Sequence, residues 1–360
     1  MGIVEKELLV TILSLAVLRA ADLAANWESR MAAGSRLEQQ GRYVDAERIF
    51  REALAQARAF SDGDPRVVTS LNNLGHVIYL LGRYGEAEPL LREALARGER
   101  SATQNPADLA PVLNNLAQLC RATGRPDEAD SLLTRALRIW ETRLGQNHLH
   151  VAIALNNLGQ LHEALGRSDS EHLYRRALQM CEQQKERSDS VLATILNNLG
   201  AFYAKASRTT EALPLYQRAL EIRERALGPN HPDVAQSLTN LGDLYRIEGW
   251  YNKAETAHLR AISILEGTFG KENARLLPPL ENLASLYLQS RRRTEAERLY
   301  ARALSIAENT WPAQHAEVTA RVERLAQLYR ADGRKQAAIE LYERSLVNRG
   351  ASSPGARSRP

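Results

Sequence analysis

The chain has 360 residues, 44% hydrophobic and 25% charged, with a formal net charge of +4, ordinary figures for a soluble protein. Its 47 Lys and Arg are interspersed among 43 Asp and Glu. A nucleic-acid-binding domain gathers its basic residues on one face, so no nucleic-acid partner is expected. Two cysteines make no disulfide framework.

Residues 1–25 form an apolar N-terminal segment. Its run from Leu8 to Leu18 has signal-peptide length but is too short to span a bilayer. Glu5-Lys6-Glu7 is not a basic n-region, and Arg19 and Asp22 interrupt the approach to a cleavage site. The segment is either a helix capping the first repeat or an atypical export signal. The expected compartment is correspondingly the cytoplasm, with export to the cell envelope as the alternative. Membrane association of the remainder is not expected.

From residue 26 to residue 348 the chain repeats itself. Asn72-Asn73-Leu74-Gly75 returns as Asn114-Asn115-Leu116-Ala117, Asn156-Asn157-Leu158-Gly159 and Asn197-Asn198-Leu199-Gly200. It then decays through Thr239-Asn240-Leu241-Gly242 and Glu281-Asn282-Leu283-Ala284 to Glu323-Arg324-Leu325-Ala326. The step is 42 residues, once 41, where a residue is missing between Arg167 and Tyr174. A fixed period of this size means stacked units, none of which buries its apolar face alone.

Each unit opens with apolar residues at helical spacing, as in Leu71, Leu74, Ile78 and Leu81. Gly82-Arg83 ends that helix, because glycine takes the left-handed conformation without strain. Gly124, Gly166, Gly249 and Gly333 hold the same place, with Ser207 and Arg291 as exceptions. A second helix follows, marked by small residues such as Ala87 and Ala94, where two helices can approach closely. The unit is an antiparallel helical hairpin, and about eight are expected. Pro232 suits the first turn of a following helix. Residues 349–360, rich in Ser, Pro and Arg, are expected to be a disordered tail.

Leu199-Gly200-Ala201-Phe202-Tyr203 and Leu241-Gly242-Asp243-Leu244-Tyr245, each followed by Ala-x-x-x-apolar-x-x-Ala, resemble the tetratricopeptide pattern. Leu227-Gly228-Pro229-Asn230-His231-Pro232-Asp233-Val234-Ala235 is similar to the long-repeat version of kinesin light chains and their bacterial relatives. The resemblance covers residues 30 to 348. It implies an all-α fold, an α-solenoid coiled as a right-handed superhelix, with the first helix of each hairpin lining a concave face. It also implies a non-catalytic adaptor or scaffold that binds a partner protein or peptide. Kinesin light chains carry a heptad coiled coil ahead of the repeats; residues 1–25 are too short and too uniformly apolar for one, so a motor-linked role is not carried over.

One column of first-helix positions reads Asn73, Asn115, Asn157, Asn198, Asn240 and Asn282, then Arg324. Related arrays hold a peptide backbone from this column, and an amide supplies both donor and acceptor. The neighbouring candidates for peptide contact are Tyr79, Gln118, Gln160 and Arg246. A structural alternative has the amides, with Asn72, Asn114, Asn156 and Asn197, bonding one helix to the next. A second functional alternative is self-association through the array's ends and convex face; the oligomeric state is open.

No phosphate-binding Gly-x-x-x-x-Gly-Lys loop exists and no orphan Ser/His/Asp set stands outside the repeats, so no catalytic residues and no cofactor are expected. His148 and His150 lie where a sibling repeat has His231-Pro232-Asp233, so capping is expected of them rather than metal binding. Arg291-Arg292-Arg293 makes a basic corner, a solvated turn or a docking point for an acidic partner. Trp140, Trp250 and Trp311 are expected to cover joints between units.

Overall fold

The computed structural model describes residues 22–60, 63–101, 108–183, 188–311 and 315–351. The described residues are helical throughout, with no strand. Helix α1 spans residues 22–39 and α2 Tyr43–Ala57; α3 (Pro65–Leu80) pairs with α4 (Tyr84–Ser101), α5 (Leu109–Ala122) with α6 (Pro126–Leu144), and α7 (Leu149–Ala164) with α8 (Ser170–Gln183). Then come α9 (Asp189–Lys205), α10 (Thr209–Leu227), α11 (Pro232–Ile247), α12 (Tyr251–Phe269), α13 (Leu277–Gln289), α14 (Arg293–Thr310), α15 (Ala316–Ala331) and α16 (Lys335–Ala351). Odd-numbered helices open a hairpin and are called A helices; even-numbered ones are B helices. The chain forms two compact units, 1–198 and 199–360, divided inside α9. Most of the N-terminal segment and of the tail lies outside the described residues.

The repeat pattern explains the hairpins. Leu71, Leu74 and Ile78 of α3 are at most 1% exposed, as are Ala87, Leu91 and Ala94 of α4. Small residues set the distance between the two helices: a Cβ on Gly159 would lie 2.9 Å from the Tyr174 ring. Full burial of one such leucine stabilises by about 2 kcal/mol, and every hairpin repeats the set.

The A-to-B turns take the left-handed conformation at Gly41, Gly82, Gly124, Gly166, Gly249 and Gly333. Ser207 (φ 59°) and Arg291 (φ 61°) adopt it as well, at the steric cost of a Cβ. Four A helices begin on side-chain caps. Asp64 caps α3, and His148, His231 and His315 accept the N–H two residues on through Nδ1. His148 is thus a capping residue, and among the described residues no cluster of His, Cys, Asp and Glu has metal-site geometry.

Two ion-pair series tie successive hairpins within each unit. The arginine after the turn glycine meets the acid of the preceding B helix: Arg83–Glu47 at 2.8 Å, Arg125–Glu88 at 2.7 Å, Arg167–Asp130 at 3.1 Å, Arg292–Glu255 at 2.8 Å and Arg334–Glu297 at 2.6 Å. Further along, one B helix pairs with the next, as in Arg135–Glu99 and Arg302–Glu266, both at 2.6 Å. In the first series Leu213 and Trp250 replace the acid and the arginine at one joint.

Trp140 stacks on His150 and Trp311 on His315, each pair bridging a B helix and the start of the next A helix. Trp250 instead remains 41% exposed at its turn. In the basic corner Arg292 bonds Glu255 and Glu295, and Arg293 pairs with Asp332, which leaves only Arg291 as an uncommitted cation there.

Candidate functional site

On four A helices of the first unit, α3, α5, α7 and the start of α9, a stripe of side chains stays at least partly accessible at helical spacing. On α3 it is Thr69, Asn73, His76 and Leu80. On α5 it is Pro111, Asn115, Gln118 and Ala122. On α7 Ile153, Gln160 and Ala164 flank Asn157, which is 9% exposed; on α9 Thr194 precedes Asn198, at 8%. The positions between are leucines, valines and alanines that bury the opposite side of the helix.

The asparagines are joined to one another. Asn198 Nδ2 donates to Asn156 Oδ1 at 3.0 Å, Asn157 Nδ2 to Asn114 Oδ1 at 2.7 Å, and Asn115 Nδ2 to Asn72 Oδ1 at 3.0 Å. Within each helix the adjacent pair closes the gap: Asn156 donates to Asn157 at 3.3 Å, Asn114 to Asn115 at 3.4 Å and Asn72 to Asn73 at 3.2 Å. The result is one relay, Asn198→Asn156→Asn157→Asn114→Asn115→Asn72→Asn73, with every donor pointing the same way along the unit. The inter-helix role weighed for the neighbouring Asn72 column therefore belongs to both columns at once. Each of the five interior amides uses one hydrogen and one lone pair and keeps the others, while Asn73 only accepts and Asn198 only donates. Asn73 and Asn115 are the more accessible members, and Asn157 and Asn198 the more enclosed.

In the second unit Asn240 and Asn282 are half-buried on α11 and α13. The linking column changes to Thr239, which bonds back to Ala235 O, and Glu281. Glu281 accepts from Arg324 at 3.0 Å and Arg321 at 2.8 Å. An ion pair thus occupies the geometry that the amides hold in the first unit.

The remaining candidates fall into different settings. Gln118 and Gln160 are half-buried and carry no side-chain hydrogen bond to another described residue. Tyr79 lies between His76 and Tyr84, 6.3 and 5.5 Å between ring centres. Arg246 is held by Asp243 of its own helix at 2.7 Å. Cys120 and Cys181 are buried, and desolvation pushes both thiols up to about 11, which suppresses the nucleophilic thiolate at neutral pH.

Tetratricopeptide repeat models match residues 24–100, 108–183 and 191–267, and a second model of the same repeat matches 280–310 and 322–351. The chain belongs to the tetratricopeptide repeat family. Such repeats generally serve as protein–protein interaction modules. Among solved structures, BtubC (BKLC) from P. vanneervenii is 22% identical with a TM-score of 0.53, over 65% of this chain and 94% of that one. A STAND protein with a tetratricopeptide repeat sensor from Pyrococcus horikoshii is 15% identical with a TM-score of 0.56, over 90% of this chain and 46% of that one. A kinesin-light-chain protein from Podospora anserina with nearly identical TPR-like repeats is 21% identical with a TM-score of 0.45, over 57% and 98%. No curated protein matches. The first two likenesses show the tetratricopeptide solenoid fold. Only repeats are recognised along the chain.

Proposed function

We propose that this tetratricopeptide array is a non-catalytic adaptor that holds an extended segment of a partner protein along the exposed stripe of its A helices. The observation that carries the reading is the amide relay with its unspent capacity: Asn73 and Asn115 each retain hydrogen-bonding atoms beside the free amides of Gln118 and Gln160. Neighbouring helices pack about 8–10 Å apart and an extended peptide rises about 3.3 Å per residue, so one amide set meets every third peptide residue. Each such bond contributes about 1 kcal/mol net, which gives grip; the varied side chains around the relay give selectivity. Tyr79 adds to the proposed contacts of the first unit; taken by itself, the second unit offers Asn240, Asn282 and Arg246 for a contact of the same kind.

Substituting the asparagines themselves would break the relay, so the test uses Gln118→Arg with Gln160→Arg. Captured from lysate of the source organism, a partner held by the parent chain should be lost by this variant and retained by Arg291→Ala. Equal capture by all three would rule the stripe out.

A second reading, self-association, is favoured by α16. Ile339, Leu346 and Val347 are 48%, 61% and 70% exposed, whereas Leu304, one repeat earlier in the position of Leu346, is 1% exposed. Sedimentation across a hundredfold concentration range tests it: a mass that rises for the parent but not for Leu346→Glu supports an end-on contact, and a constant monomer mass removes it.

A further inference from the structure

Across α3, α5, α7 and the start of α9 the accessible stripe carries no formal charge; α1, which has the exposed Glu28 at the place of Thr69, lies outside this neutral stretch. On α3, α5, α7 and the start of α9, none of the positions beside the four relay asparagines is Asp, Glu, Lys or Arg. The nearest ionisable groups are already engaged or sit at the edge. His76 Nδ1 faces Glu38 Oε1 at 3.1 Å, Glu163 accepts from Tyr174 at 2.9 Å, and Arg121 is exposed one turn beyond Gln118. In the second unit the equivalent positions include Asp243 and Arg324, so the neutrality belongs to these four helices rather than to the repeat as such.

The relay also has two open ends. Asn73 accepts from Asn72 and has both Nδ2 hydrogens unspent; Asn198 donates to Asn156 and has its Oδ1 unspent. They are three helix-to-helix steps apart, about 24–30 Å, the span of about eight extended residues. A peptide laid between them can present an acceptor to Asn73 and a donor to Asn198, and share the leftover hydrogens and lone pairs of the amides between. A charged side chain turned onto the surface beside the asparagines would lose water and find no counter-ion among the stripe's own side chains, which is unfavourable; only at the edge, one helical turn farther on, do Arg121 and Glu163 offer charge.

We infer that the first unit selects an uncharged, extended peptide segment of about eight residues, read mainly through its main chain. This rests on the adaptor reading and narrows its ligand: binding is insensitive to salt, and one Asp or Lys turned onto the surface lowers affinity about tenfold or more, as for an unpaired charge.

The probe is a random dodecapeptide library displayed on phage and selected on the full chain, with binders remeasured as synthetic peptides at 50 and 500 mM salt. The expected result is enrichment of peptides sharing a run of roughly eight residues without Asp, Glu, Lys or Arg, whose affinity changes less than twofold between the two salts. Gln118→Glu with Gln160→Glu, which leaves the relay intact, should shift the selection toward Lys- and Arg-containing peptides. If the parent enriches peptides with a fixed charge in the run, and these weaken with salt yet still depend on Gln118 and Gln160, the neutral-ligand inference is overturned while the adaptor reading stands. Enriched peptides that bind the parent and Gln118→Arg/Gln160→Arg alike, or no enrichment at all, would overturn both.

Discussion

Asn157 donates to Asn114 across two A helices at 2.7 Å while accepting from Asn156 in its own helix. It is enclosed, so both partners lie where water cannot replace it. Asn157→Ala should therefore cost roughly 2–3 kcal/mol in urea unfolding, since it leaves a donor and an acceptor unpaired. Asn73→Ala at the relay's end loses one bond at an accessible position and should cost about 1 kcal/mol or less. Equal losses at the two sites would mean that the relay does not couple the hairpins.

Ser207 and Arg291 occupy the left-handed turn position that siblings fill with glycine. A Cβ there costs about 1–2 kcal/mol, partly offset by glycine's greater freedom in the unfolded chain. Ser207→Gly and Arg291→Gly should each raise stability by about 0.5–1 kcal/mol, read as an upward shift in Tm. Gly166→Ala, the reverse change at a sibling turn, should lower it by a similar amount.

His258 is fully buried in the second unit, where a Cβ on Gly242 would lie 2.8 Å from its ring. Sibling repeats place Tyr174, Tyr216 and Tyr300 at this point. Neither ring nitrogen has a hydrogen-bond partner. Burial pushes its pKa down from 6.5 to about 4, with Asp243 opposing and Arg246 reinforcing the shift. The folded value lies below the unfolded one, so the unfolded chain binds the proton more readily. Stability is full above pH 6.5 and falls as the pH drops toward about 4. The loss is of order 3 kcal/mol by linkage. His258→Tyr should remove this part of the acid sensitivity, measured as the difference in urea midpoint between pH 7 and pH 4.5 for parent and variant. An unchanged difference would contradict the assignment.

The hairpins, their turns and the left-handed positions could be read directly from the sequence, because each depends on spacing within one unit. The exceptions Ser207 and Arg291 were visible for the same reason. The relay was half visible. Asn72 and Asn73 sit about 100° apart on their helix, so the columns read as separate roles, and only the packing of α3 against α5 reveals that each bond takes one residue from each. The ion-pair joints left a signal that spacing alone could have yielded: an arginine after each turn, an acid after each small residue, and the joint loss of both at Leu213 and Trp250. Trp250 was expected to cover a joint as Trp140 and Trp311 do. It lies instead at the turn between α11 and α12, packed on Tyr245 and under the Lys253 ammonium, whereas the other two stack on histidines at the start of the next A helix. His258 gave no warning, since a histidine among tyrosines looks like a tolerated aromatic until its burial is known.

The most direct measurement places a photo-reactive benzoyl-phenylalanine at Gln118, on the exposed stripe of α5, and separately at Arg138, exposed on α6. Irradiated in lysate of the source organism, the Gln118 probe should cross-link a discrete partner whose attached peptide maps to one extended segment, while the Arg138 probe should not. Cross-linking of the same partner from Arg138 but not from Gln118 would contradict the account and move the binding surface to the B helices.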